Sequence, residues 1–153
     1  MDTRADQQDA ARALFPLPCA CQSLRRLTRL VTRIYDQELK GADIEITQLG
    51  LLTALSHLGE ANQKTLSAGF AMDSTTLTRT LGVMRRRGWI SVKTGTDRRE
   101  RRFRLTDAGQ KEIAKAHPHW QAAERRMRSI FGDVGWTQMQ SSLARYTQTV
   151  AGA

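Results

Sequence analysis

Apolar residues recur at three- and four-residue steps through most of this chain, and that spacing predicts a protein built mainly of helices. Between residues 19 and 40 the positions Leu24, Leu27, Val31, Ile34, Tyr35 and Leu39 form one stripe, with Arg25, Arg26, Arg29 and Arg33 between them and Gly41 closing the run. A second helix is expected from about Thr47, carrying Leu49, Leu52, Leu55 and Leu58 until Gly59 stops it. Its face is apolar enough to belong in a core. A short helix over 63–70, a turn at 71–73 and a helix over 74–87 follow. Leu66, Phe70, Leu77, Leu81 and Met84 supply their buried side, and Asp73 or Ser74 supplies the cap of the second.

The period changes after Gly88. Residues 89–92 have the β-branched and aromatic character of a strand, residues 94–97 are turn formers, and residues 102–105 alternate polar and apolar as a half-buried partner strand does, which places a hairpin tip at 95–101. Thr106 then caps a long helix with a seam at Ile113, Ala116, Trp120, Ala123, Met127 and Ile130, in steps of 3, 4, 3, 4 and 3. Pro118 is expected to kink or split it, and a last helix from about Trp136 repeats the seam through Met139, Leu143, Tyr146 and Val150. Ahead of all these, residues 1–18 end in two closely spaced prolines, Pro16 and Pro18, which predicts an extended arm. The expected fold is mainly α with a small β-wing. A winged helix-turn-helix occupies 47–106, and the helical regions 19–46 and 107–153 offer apolar stripes that a second subunit would bury.

Charge sharpens this picture. The chain of 153 residues carries a formal net charge of +9. Nine basic residues against two acidic ones lie between Arg85 and Arg104, so most of the excess sits in one short stretch. Such a stripe is the electrostatic footprint of a polyanion binder. A helix-turn-helix sets its second helix in the major groove of double-stranded DNA. The front of that helix would be Ser74, Thr75, Thr76, Thr78 and Arg79, short hydrogen-bonding side chains with one arginine, suited to phosphate oxygens and base edges. An arginine at the hairpin tip can enter the neighbouring minor groove, where the potential is most negative.

From about Cys19 onward the pattern resembles the MarR family of bacterial transcriptional regulators. The residues that carry the resemblance are the run from Asp73 to Arg79, Arg87-Gly88-Trp89-Ile90 at the helix exit, and the wing Asp97-Arg98-Arg99-Glu100-Arg101-Arg102 leading into Leu105-Thr106-Asp107-Ala108-Gly109. The resemblance implies a triangular homodimer with intertwined terminal helices, acting mainly as a repressor on a pseudo-palindromic operator and released by a ligand or an oxidant. It also implies that Asp97 orients Arg99 toward the minor groove, while Thr76, Thr78 and Arg79 meet the major groove and backbone; by their charge alone Arg98 and Arg101 are expected to join the DNA contacts and Arg85 to Arg87 to attract the phosphate backbone. Ala71 stands where the family often has a turn glycine and Trp89 where it often has leucine. The first departure implies altered turn geometry or mild strain.

The chemistry that would release DNA is less specified. Cys21 falls where the peroxide-sensing branch of that family keeps its reactive cysteine, fourteen residues before Tyr35, whose counterpart there helps bind the thiol across the dimer interface. The match is partial: Ile46 stands where a second tyrosine is expected, and Ala20, Gln22 and Ser23 replace the usual aromatic and apolar neighbours. Three roles are open to Cys19 and Cys21: none beyond starting a helix, oxidation sensing through a sulfenic acid, or soft-metal capture. By the same resemblance a small aromatic acid would sit beneath the dimer helices, near Arg25, Arg29, Tyr35 or His57. No catalytic His/Asp arrangement, P-loop, metal-ligand cluster or dinucleotide fingerprint occurs, so neither enzyme activity nor a cofactor is expected. No apolar run approaches the ~18 residues of a membrane span, and a cytoplasmic protein is expected. The competing function is a sequence-tolerant architectural DNA binder, or a sensor whose cysteines are the primary switch.

Overall fold

The computed structural model describes residues 19–94 and 101–152. The chain forms two compact units, Met1–Ile34 and Tyr35–Ala153. Helix α1 (Ala20–Leu39) begins in the first unit and ends in the second, where a 3-10 turn (Lys40–Ala42) reverses the chain. Then come α2 (Ile46–Leu58), β1 (Glu60–Asn62), α3 (Gln63–Phe70), α4 (Ser74–Arg86), β2 (Ile90–Thr94), β3 (Arg101–Leu105) and α5 (Asp107–Ala151). The mainly helical fold with its small β-wing is the one expected.

The core lies between α2 and the first half of α5 and draws in side chains from α1, α3 and α4, with Leu39, Leu51, Leu52, Leu55, Leu66, Leu77, Met84 and Met127 almost wholly buried. Helix α2 starts one residue before the expected Thr47. Glu45 and Gln48 form a reciprocal capping box there, so the first turn is satisfied at both ends. The Asp36 carboxylate of α1 accepts a further bond from the Ile46 N–H at 2.8 Å.

A third strand was not expected. Glu60-Ala61-Asn62 has weak strand character, yet it pairs antiparallel with β3, giving the order β1-β3-β2. Phe103 faces Ala61 on one side and Val92 on the other, and its burial anchors the sheet to the core.

The break in α5 also differs from expectation. Helical backbone angles continue through Pro118, so the helix is not split there, and the chain leaves helical geometry at Gly132, with φ 70° and ψ 162°. Few residues other than glycine reach that conformation. Proline in a helix interior costs about 3 kcal/mol, but here burial of Ala116, Ala123 and Met127 on both sides of Pro118 holds the helix. The seam therefore splits. Its first part packs on this chain, whereas Ile130, Phe131, Val134, Leu143, Tyr146 and Val150 remain exposed, as do Leu24, Leu27 and Leu30 on α1. No helix among the described residues is long and apolar enough to cross a membrane.

Candidate nucleic-acid interface

The candidate interface is the outer surface of α4, and the turn before that helix sets its angle. Helix α3 closes with two backbone bonds, Met72 N–H to Ser67 O at 3.1 Å and Ala71 N–H to Ala68 O at 3.3 Å. This is a Schellman closure, which needs a left-handed residue, normally glycine. Ala71 adopts it, with φ 49° and ψ 37°. Of the two outcomes open at this position, altered geometry or strain, the chain takes strain: the turn keeps the glycine conformation with an alanine in it. The Ser67 hydroxyl donates to Met72 O at 2.6 Å and helps hold it. At the other end of α4 the same closure recurs with Gly88, at φ 72°.

Asp73 is the cap of α4. Its carboxylate accepts from the Thr76 N–H at 2.9 Å, and the hydrogen bonds from Thr76 hold its pKa below the usual aspartate value. Leu77, Leu81 and Met84 turn inward, and as a consequence Ser74, Thr75, Thr76, Thr78, Arg79, Arg85 and Arg86 are all exposed. The side chains expected to form the front of this helix thus share its outer surface.

The basic stretch separates into two groups. Arg87 pairs with Asp43 and stacks over the Trp89 ring, while Arg102 and Arg104 both face Glu60, at 2.8 and 3.8 Å. Lys93, Arg85, Arg86 and Arg101 have no carboxylate partner among the described residues. Arg85 and Arg101 also line a recess of about 110 Å³ between α4 and the base of the wing, together with Gln63 and Thr78. Asp97, Arg98 and Arg99, the expected wing tip, lie outside the described residues.

Gln63 was absent from the expected interface. It is the first residue of α3, and its Nε2 donates to Thr78 Oγ1 at 2.7 Å and lies 3.3 Å from Ser74 O. The only sequence signal was its place after the Asn62 cap, which by itself does not point across to α4.

The wing joins α5 through a crowded junction. The Thr106 hydroxyl accepts from the Gly109 N–H at 3.1 Å and donates to Gly88 O at 2.6 Å, while the Thr106 N–H donates to Trp89 O. Any side chain at Gly109 would collide with the Trp89 carbonyl. The Leu-Thr-x-x-Gly pattern is therefore a packing requirement at the point where the wing, the end of α4 and the long helix meet.

The residues expected near an effector belong to α1 and α2, with Cys19 just ahead of α1. Tyr35 is buried, and its hydroxyl donates to Glu124 Oε1 at 2.5 Å. Burial, then the Glu124 hydrogen bond and charge, push its pKa well up. Arg29 is exposed on α1, and His57 is exposed in the last turn of α2. Cys19 and Cys21 are free, exposed thiols at the start of α1, where Cys19 O accepts from the Ser23 N–H at 3.1 Å. An apolar cavity of about 350 Å³ lies instead between α2 and α5, lined by Ile46, Leu49, Gly50, Thr53, Ile113, His117 and Trp120. Among the described residues no three His, Cys, Asp or Glu side chains form a metal-binding group.

No family model matches the chain. It is 31% identical to the M. tuberculosis transcriptional regulator MosR, seen in a crystal structure in complex with DNA; the match covers 88% of this chain and 97% of that one, with a TM-score of 0.76. An E. coli MarR mutant complexed with operator DNA shares the fold, at 18% identity, 88% and 95% coverage and a TM-score of 0.74. Among curated proteins it is similar to the uncharacterized HTH-type transcriptional regulator YwoH of Bacillus subtilis, 23% identical over 110 residues, which are 72% of this chain and 80% of that protein.

Proposed function

The chain belongs to the MarR family of winged helix-turn-helix transcriptional regulators, and from that premise we propose that it is a homodimeric repressor that reads a pseudo-palindromic operator in double-stranded DNA. The observation that carries this reading is the outer surface of α4: hydroxyls and Arg79 lead, Arg85 and Arg86 follow, and all lie clear of the core. Two copies of α4 related by a two-fold axis would occupy successive major grooves. The wing tip, with Asp97 orienting Arg99 and with Arg98 and Arg101 beside it, would reach the minor groove.

The dimer would form through the helical regions 19–46 and 107–153. Exposed apolar side chains on α1 and on residues 133–151 support it, because a lone chain would leave a broad apolar surface in water. The protein would act in the cytoplasm. Release by a small aromatic ligand or by oxidation at Cys21 or Cys19 completes the reading. Gel-shift titration and sedimentation test it together. The expected result is a dimer that binds its operator at least about a thousandfold more tightly than random duplex. A ratio near one would mark a sequence-tolerant architectural binder instead. Transcription from the operator-bearing promoter should rise when the protein is absent.

A further inference from the structure

Thr78 sits on the exposed surface of α4, but its hydroxyl is not at liberty to donate. Its one proton goes to Ser74 O at 2.7 Å. One of its acceptor sites takes the Gln63 Nε2 hydrogen, also at 2.7 Å. The other hydrogen of that amide faces Ser74, whose carbonyl and hydroxyl oxygens lie 3.3 and 3.4 Å away. What remains to the pair is acceptor capacity alone: one lone pair on Thr78 and the Gln63 Oε1, which accepts from no described residue. Gln63 itself is anchored from behind, since Asn62 caps α3 by accepting from the Thr65 N–H at 2.8 Å.

Resting on the reading of α4 as the major-groove helix, we propose that Gln63 is a positioning residue for sequence readout, which makes Thr78 an acceptor-only contact for a base amino group. In the major groove the amino groups are adenine N6 and cytosine N4, and the carbonyls of guanine and thymine would meet an unpaired lone pair there. A threonine free to rotate its hydroxyl would tolerate both kinds of edge; one held by Gln63 does not. The amide thus converts a permissive side chain into a selective one from a neighbouring helix, without needing to touch a base.

The test starts from selection of randomised duplexes, long enough for two half-sites, by the wild-type dimer, Gln63→Ala and Thr78→Val. Wild type should enrich a defined site, and both variants should relax the same base pair in each half-site. Replacing the amino-bearing base of that pair by its analogue lacking the exocyclic amino group should weaken wild-type binding about tenfold, the scale of one mismatched pair. It should leave Thr78→Val unchanged. The double variant should lose no more specificity than either single one. If the variants relax different pairs, or if wild type ignores the amino group, the inference is overturned while the regulator reading stands. If wild type enriches no site at all, both fall.

Discussion

Arg87 Nη1 lies 2.9 Å from Asp43 Oδ2 and also donates to the Asp43 carbonyl at 2.7 Å, tying the end of α4 to the turn that follows α1. Asp43 is itself left-handed, at φ 58°, which turns its carbonyl and carboxylate toward the same guanidinium. One of the three consecutive arginines is therefore structural. Its neighbours Arg85 and Arg86 are exposed, with no carboxylate partner among the described residues. Arg85→Ala should reduce the salt dependence of DNA binding by about one counterion per site, while Arg87→Ala should leave that slope unchanged. Titrations at several salt concentrations decide it; equal losses in the two variants would contradict the division.

Gly109 should tolerate no side chain. A Cβ there would strike the Trp89 carbonyl and approach Leu105 Cδ1 to 2.6 Å. The carbonyl cannot move without losing the bond from the Thr106 N–H. Gly109→Ala should lower stability by at least about 2 kcal/mol, at the upper end for overpacking. Urea unfolding measures this, and a loss below about 0.5 kcal/mol would show that the junction yields.

Ala71 offers a contrast in the opposite direction. Its left-handed backbone is open to glycine and hard on β-branched residues. Ala71→Gly should be at least as stable as wild type, because relief of strain offsets the greater freedom of the unfolded chain. Ala71→Val should lose about 2 kcal/mol. If valine were tolerated as well as glycine, the turn would have to adopt another conformation.

Tyr35 and Glu124 link the end of α1 to α5, and their hydrogen bond has a pH signature. The folded-state pKa of the phenol lies above its unfolded value, so the native state binds its proton more tightly. The stabilisation is complete below the ordinary tyrosine pKa of ~10 and is lost as pH rises above it. Tyr35→Phe should cost about 1–2 kcal/mol at neutral pH and flatten the decline in stability at alkaline pH. Chemical unfolding at pH values on either side of ~10 would reveal the difference; parallel curves for the two proteins would exclude the assignment.

Much of this architecture is legible in local sequence because its causes are local. The three- and four-residue spacing of Leu49, Leu52, Leu55, Leu77, Leu81 and Met84 defines buried faces, Asp73 and Thr106 supply caps, and Gly88 supplies a left-handed closure. The outward position of Ser74 to Arg79 follows directly, since residues opposite a buried stripe must face out. Tertiary structure decided what depends on partners distant in the chain. Glu60-Ala61-Asn62 becomes a strand only because β3 has a free edge, and Arg102 and Arg104 gain a carboxylate by the same pairing. Pro118 stays helical because its neighbours are buried, so the break falls at Gly132, where no burial opposes it. The basic run from Arg85 to Arg104 has a single appearance in the sequence. Among the described residues, its division into arginines paired with Asp43 or Glu60 and arginines without a carboxylate partner arises only when elements remote in the chain come within ion-pair distance.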